Sequence, residues 1–214
     1  MNSRNTDNAY RKGQNSKTGK WKTVPDPFTL FGKWFGEAKR KAGRNYEAMH
    51  LATAGRGGRP SGRMVLLKGF DEAGFVFYTN YGSRKAREIG ENSRVALTFY
   101  WQALDRQVRI EGRARKVSAA ESDAYFKSRP PESRISAVIS PQSQVIADLR
   151  NLLDPWKRLL EEGDPGKIRR PAHWGGYRVA PDLFEFWQQG EFRLHDRIRY
   201  RLEKGQWIAD RLAP

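Results

Sequence analysis

The chain has 214 residues, with 40 Lys and Arg against 24 Asp and Glu, a net charge of +16 and no cysteine. Without cysteine there is no disulfide framework, thiol nucleophile or zinc-thiolate site, and His50, His173 and His195 are too scattered to suggest a metal cluster. No apolar run approaches the ~20 residues that span a bilayer, and no secretory h-region opens the chain, so a soluble, cytoplasmic protein built as one large domain is expected.

Residues 1–25 hold Arg4, Arg11, Lys12, Lys17, Lys20 and Lys22 against Asp7 alone, with little apolar content besides Trp21. They are expected to form a basic, disordered tail, leaving 26–214 as the folded domain. Asp26-Pro27 has the form of a helix start, an N-cap followed by proline at the first helical position. Phe28, Phe31, Trp34, Phe35 and Ala38 then recur at helical spacing up to Gly43. Residues 46–54 and 61–70 flank the turn GRGGRP and predict a hairpin. A short strand over 75–79 follows, then Ser83 as the cap of a helix over 84–90. Strands are expected over 94–101 and 107–117, and a helix over 118–128 that Pro130-Pro131 interrupts. The spacing predicts a longer amphipathic helix over 143–162, kinked at Asp154-Pro155, a loop over 163–171, and strands over 177–179, 184–188, 192–202 and 206–212. Many strands with a few helices and no βαβ alternation favour a mainly β (α+β) architecture, an antiparallel barrel with peripheral helices.

Four stretches could carry chemistry. In YTNYGSRKARE a strand turns through Gly-Ser into a helix whose first turn holds Arg84 and Lys85. Cations at a helix N-terminus run against the dipole, which points to an anion, with phosphate the leading candidate and a solvated basic turn the alternative. RMVLLK sets Arg63 and Lys68 at the ends of an apolar run expected to be largely buried; five residues apart, they fall on opposite faces of a regular strand. Tyr125, Arg129 and Ser133 share a face only if a helix continues through the proline pair, so a solvated helix end competes with an anion site. In QGEFRLHDRIRYRLEKG, one extended strand from Gln188 to Leu202 would project Arg193, His195, Arg197, Arg199 and Arg201 from one side, with Asp196 on the other. Trp187 could stack on a flat heterocycle or lie in the core.

Together these pieces resemble the pyridoxine/pyridoxamine 5′-phosphate oxidase family. The matching segments are DPFTLF, RMVLLK, FVFYTNYGSRKA, RQVRIEG, YFKSRP with PPESRISA, SPQSQVI, HWGGYRV, EFWQQGEFRLHDR and DRLAP, in family order from 26 to 214. The resemblance implies an FMN-binding split β-barrel acting as a homodimer with active sites at the subunit interface. It implies FMN contacts from Arg63, Met64, Val65, Leu66, Leu67, Lys68, Tyr78, Thr79, Arg84, Lys85, Gln107, Gln142, Ser143, Trp187 and Arg197. Substrate contacts would come from Lys68, Tyr125, Arg129, Ser133, Arg193, Leu194 and His195, with Arg193 and His195 as candidate catalytic residues. The implied reaction oxidises pyridoxamine or pyridoxine 5′-phosphate to pyridoxal 5′-phosphate while dioxygen becomes hydrogen peroxide. One departure is that the family's N-terminal Arg-x-x-Tyr segment has no clear counterpart, Tyr10-Arg11 standing in reverse order. A related FMN oxidase of a phenazine precursor or another aromatic amine would share the fold, and Lys68, Tyr125, Arg129 and Ser133 argue against it by favouring a phosphorylated substrate. A nucleic-acid binder would suit the charge, but the aromatics fall in apolar runs that read as core.

Overall fold

The computed structural model describes residues 26–161, 163–164 and 167–214; the tail expected over 1–25 lies outside them. Helix α1 (Pro27–Lys41) begins as the sequence predicts, the Asp26 carboxylate accepting hydrogen bonds from the Phe28 and Thr29 amides at 3.1 and 2.8 Å. Strands β1 (Ala48–Ala54) and β2 (Pro60–Leu66) form the expected hairpin. There follow β3 (Gly69–Asp71), β4 (Gly74–Asn80), α2 (Arg84–Glu91), β5 (Arg94–Trp101) and β6 (Arg106–Lys116). After α3 (Ala119–Ser128), α4 (Pro131–Ile139) and α5 (Arg150–Glu161) come β7 (Trp174–Gln188), β8 (Asp196–Glu203) and β9 (Gln206–Arg211).

Among the described residues the nine strands make one antiparallel sheet in the order β2-β1-β5-β6-β7-β4-β3, with β8 on β7 and β9 on β8. The sheet curls until its ends meet in one stretch of chain, because β2 and β3 are consecutive. Between them the Leu67 amide donates to the Glu47 carbonyl on one side at 2.9 Å, and the Lys68 amide to Val76 on the other at 2.8 Å. RMVLLKGFD is thus the seam that closes the barrel.

Strand β7 organises the rest. Along one edge it pairs with β6 throughout; along the other its first half pairs with β4 and its second half with β8. A bulge at Glu111/Gly112 lets β6 follow the bend, and Gly112 is required there because a Cβ would meet the Ala180 carbonyl oxygen at 2.2 Å. The interior is aromatic. Phe31 of α1 inserts its fully buried ring between Phe70, Phe75 and Phe99, at centroid separations of 4.9, 4.8 and 5.2 Å.

Several expectations are corrected. The segments 177–179 and 184–188 are one strand, since the bulge carries β7 through Pro181 without breaking it. Helix α5 begins at Arg150 rather than 143, because the chain at Ser143 adopts a left-handed conformation (φ 70°) that cannot continue a right-handed helix. Helix α4, beyond the proline pair, was unexpected; Pro131 takes the first helical position, where it is tolerated. RMVLLK is not uniformly buried: β2 alternates, leaving Met64 61% and Leu66 40% exposed while Leu67 is buried. The single strand from Gln188 to Leu202 does not form, since Phe192 and Arg193 have φ of 54° and 63° in a short 3-10 turn and β8 starts only at Asp196. The common face therefore holds for Arg197, Arg199 and Arg201 but not for Arg193 and His195.

Candidate active site

The predicted residues fall into three groups. The first gathers where β2, β4 and α2 meet. Ser83 caps α2 by accepting the Ala86 amide, and so sets Arg84 and Lys85 on its first turn. The Lys85 ammonium donates to the Gln142 side-chain oxygen at 2.7 Å, to Thr79 Oγ1 at 3.1 Å and to Ser83 Oγ at 3.5 Å. None of these is a carboxylate. Burial pushes this ammonium down to about 8, and the nearby Arg63 charge adds to the shift. Arg63 reaches across from β2, donating to the Leu51 carbonyl at 3.1 Å and to Thr53 Oγ1 at 2.5 Å. Ser143 follows Gln142 in an exposed loop, and a cleft of about 320 Å³ lined in part by Asn80, Gln142 and His173 adjoins it.

The second group stacks behind β4. Because successive strand residues point to opposite faces, Thr79 serves Lys85 while Tyr78 packs on Tyr125 at 3.9 Å and on Trp174 at 5.5 Å. Arg129, extended at the C-cap of α3, lays its guanidinium over the Trp174 ring at 4.6 Å. Its Nη1 is buried without a hydrogen-bond partner, and burial lowers its pKa. Ser133 is the third residue of the neighbouring α4, so Tyr125, Arg129 and Ser133 are divided by a helix break rather than set along one helix. Lys68 pairs with Glu47 at 3.1 Å.

The third group lies at the far end of β7. Gln107 of β6 pairs in register with Trp187, which pairs with Arg197 of β8. The His195 ring lies 4.7 Å from that of Trp187, and its Nδ1 accepts the Gly190 amide at 3.3 Å. Arg193 and Leu194 are exposed on the turn before it. Arg197 donates to buried Glu185 at 2.9 and 2.7 Å and to the Ala213 carbonyl at 2.8 Å. Gly175, the partner of Thr79, and Trp187 are twelve residues apart on β7, about 40 Å of strand at 3.3 Å per residue. The first and third groups thus lie toward opposite ends of β7.

The sequence profile described as Pyridoxamine 5'-phosphate oxidase matches residues 36–153, and that described as Pyridoxine 5'-phosphate oxidase C-terminal dimerisation region matches 174–214. The chain belongs to the pyridoxine/pyridoxamine 5′-phosphate oxidase family. Among relatives carrying that name, one from Herminiimonas arsenicoxydans is 51% identical over 90% of this chain and 91% of its own length. Another, from Rubrobacter xylanophilus, is 55% identical over 89% and 88%. Among solved structures, PhzG from Burkholderia lata, in complex with tetrahydrophenazine-1-carboxylic acid, is 31% identical with a TM-score of 0.85, covering 90% of this chain and 95% of its own. A pyridoxamine 5'-phosphate oxidase-related, FMN-binding protein from Nostoc punctiforme shares the fold at a TM-score of 0.73 and 17% identity, over 89% and 99%.

The residues of this oxidase-family chain would suit a phosphorylated flavin: the helix N-terminus capped by Ser83 carries Arg84 and Lys85, Arg63 reaches in from β2, and the Lys85 ammonium is held by neutral partners alone. Sequence reasoning missed Glu88, Trp174 and Glu185. Glu88 stands four residues after Arg84, the spacing of a helical ion pair, and Glu185 is an acid inside the apolar run FEFW; those were the available signals. Trp174, in HWGGYRV, gave none beyond being aromatic.

Proposed function

We propose that the chain catalyses the FMN-dependent oxidation of pyridoxamine or pyridoxine 5′-phosphate to pyridoxal 5′-phosphate, with dioxygen reduced to hydrogen peroxide, at two sites shared by a homodimer. The observation that supports this reading is the presence of two separate sets of donors suited to an anion. One is the Arg63, Arg84 and Lys85 cluster; the other is Arg129, whose buried Nη1 lacks a partner. Two phosphorylated molecules, a flavin mononucleotide and a phosphorylated substrate, match two such sets.

In this reading Arg63, Arg84 and Lys85 take the flavin phosphate together with the α2 N-terminus, Thr79, Gln142 and Ser143 lining the cradle. Met64, Val65, Leu66, Leu67, Lys68 and Tyr78 flank the rest of the cofactor from the barrel seam. When bound, FMN supplies the two-electron acceptor that dioxygen reoxidises. Lys68, Tyr125, Arg129 and Ser133 hold the substrate phosphate and so orient the carbon to be oxidised. Gln107, Trp187, Arg193, Leu194, His195 and Arg197 form the remaining part, which in this reading a second copy supplies; their place toward the other end of β7 from Thr79 and Lys85 supports it. The Gly190 amide bonded to Nδ1 of His195 leaves Nε2 to carry the proton in the neutral ring, a donor for the substrate. Arg193 is assigned to press the pyridine ring toward the flavin. The amine substrate additionally takes up water and releases ammonia.

Peroxide release from pyridoxamine phosphate, compared with unphosphorylated pyridoxamine, tests this function. A strong preference for the phosphorylated form is expected, and equal turnover of both would overturn the assignment. The 31% identity to PhzG supports a second reading, oxidation of a phenazine-type substrate. Arg129→Ala separates the two: it should raise KM for pyridoxamine phosphate by tenfold or more, the scale of one lost charge-assisted hydrogen bond, and leave FMN affinity unchanged.

A further inference from the structure

Glu88 stands at the centre of the cation cluster. Its side chain is only 12% exposed, and its two oxygens collect four donors. Oε2 accepts from Thr53 Oγ1 and Ser61 Oγ, each at 2.5 Å, and from Arg63 Nη2 at 3.4 Å; Oε1 accepts from Arg84 Nε at 2.7 Å. Burial alone would raise this carboxyl, yet the hydrogen bonds from Ser61, Thr53 and Arg84 bring it down to about 2, so it is a carboxylate at any working pH. A fixed negative charge beside a phosphate cradle opposes anion binding if only net charge is counted. Geometry works the other way. Arg63, Arg84 and Lys85 repel one another, and Arg84, 50% exposed, would otherwise spread into solvent. Three cations less one carboxylate leave a net +2, the complement of a phosphate dianion. Lys85 remains the member of the trio whose hydrogen bonds go to neutral groups alone.

We propose that Glu88 is a positioning residue for the flavin phosphate: it clamps Arg63 and Arg84 in the orientation that receives the anion and leaves Lys85 free to neutralise it. This rests on the reading that the phosphate of FMN docks at this cluster. The two accounts of Glu88 differ in sign. As a mere charge its removal tightens FMN binding, whereas as a clamp its removal weakens it.

The experiment titrates cofactor-stripped protein with FMN and with riboflavin, which lacks the phosphate, following flavin fluorescence for the wild type, Glu88→Gln and Glu88→Asp. The first variant keeps shape and loses charge; the second keeps charge and draws it back by one methylene. The expected result is FMN binding weaker by about tenfold in both, with riboflavin binding within about twofold of wild type. FMN affinity unchanged or tighter in either variant would overturn the proposal, and so would an equal loss for both ligands, which marks a purely structural role. Wild-type protein that binds FMN and riboflavin equally would instead overturn the docking of the phosphate itself.

Discussion

The ammonium of Lys85 sits near 8 because burial and the Arg63 charge both disfavour its protonated form. A bound dianion favours that form, so protonation and FMN binding support each other. FMN affinity should therefore be greatest below pH 8 and fall as pH rises through and beyond that value, by at most tenfold per pH unit. Titrations from pH 6.5 to 10 check this, and Lys85→Arg should flatten the profile because a guanidinium keeps its charge throughout. At this scale the sequence was partly legible. GSRKA raised an anion site, with a solvated basic turn as its alternative, because cations at a helix start run against the dipole. Glu88 was not visible as a clamp, because its role depends on Thr53 and Ser61 arriving from another element. The row of cations from Arg193 to Arg201 failed because strand parity presumes extended backbone, and two left-handed residues interrupt it.

Helix α1 and the barrel it fills show what element-level reasoning reaches. The period of Phe28, Phe31, Trp34 and Ala38 located both the helix and its buried face, and Asp26 located its start. Truncating Phe31 to alanine should cost roughly 3–5 kcal/mol in chemical denaturation, the range for a buried aromatic. Asp26→Ala, which removes only the cap, should cost about 1 kcal/mol. Comparable losses would contradict the placement of Phe31 at the centre of the core. Less legible were β7 and the 143–149 segment. A proline at 181 reads as a strand end, yet the bulge opposite it lets pairing continue on both sides. Residues 143–149 have the amphipathic spacing of a helix, but Val145 is 100% and Leu149 60% exposed, so in one chain no core draws that face into helical register.

Across the whole molecule, the same exposed apolar residues stand with Met64, Leu66 and Tyr100, which are 61%, 40% and 58% exposed. The region at 174–214 matches the dimerisation region of the family, and the residues assigned above to the second copy, other than Gln107, fall within it. Mixing tests the arrangement directly. Lys85→Ala and Arg193→Ala homodimers should each be impaired, while co-expressed chains should recover up to about a quarter of wild-type activity, from mixed dimers with one intact site. No recovery would place both residues in a site made by one chain. Among the described residues no helix is long and apolar enough to cross a membrane. The continuous apolar run in RMVLLK reads as largely buried, yet Met64 and Leu66 are exposed in one chain, since sequence pattern records apolar character but not what covers it.

The seam at RMVLLKGFD carries a further consequence for how this stretch tolerates change. Its main chain closes the barrel through the Leu67 and Lys68 amides, while the side chains of Met64 and Leu66 are exposed and that of Lys68 pairs with Glu47. The two duties fall on different atoms of the same residues, so they are separable by mutation even though they coincide in sequence. Lys68→Ala keeps the amide and should yield a folded protein of low activity; Lys68→Pro deletes the amide and should fail to fold stably. In a library of single variants Met64, Leu66 and Lys68 would accept many side chains by abundance and few by turnover, whereas buried Leu67 would accept few by either.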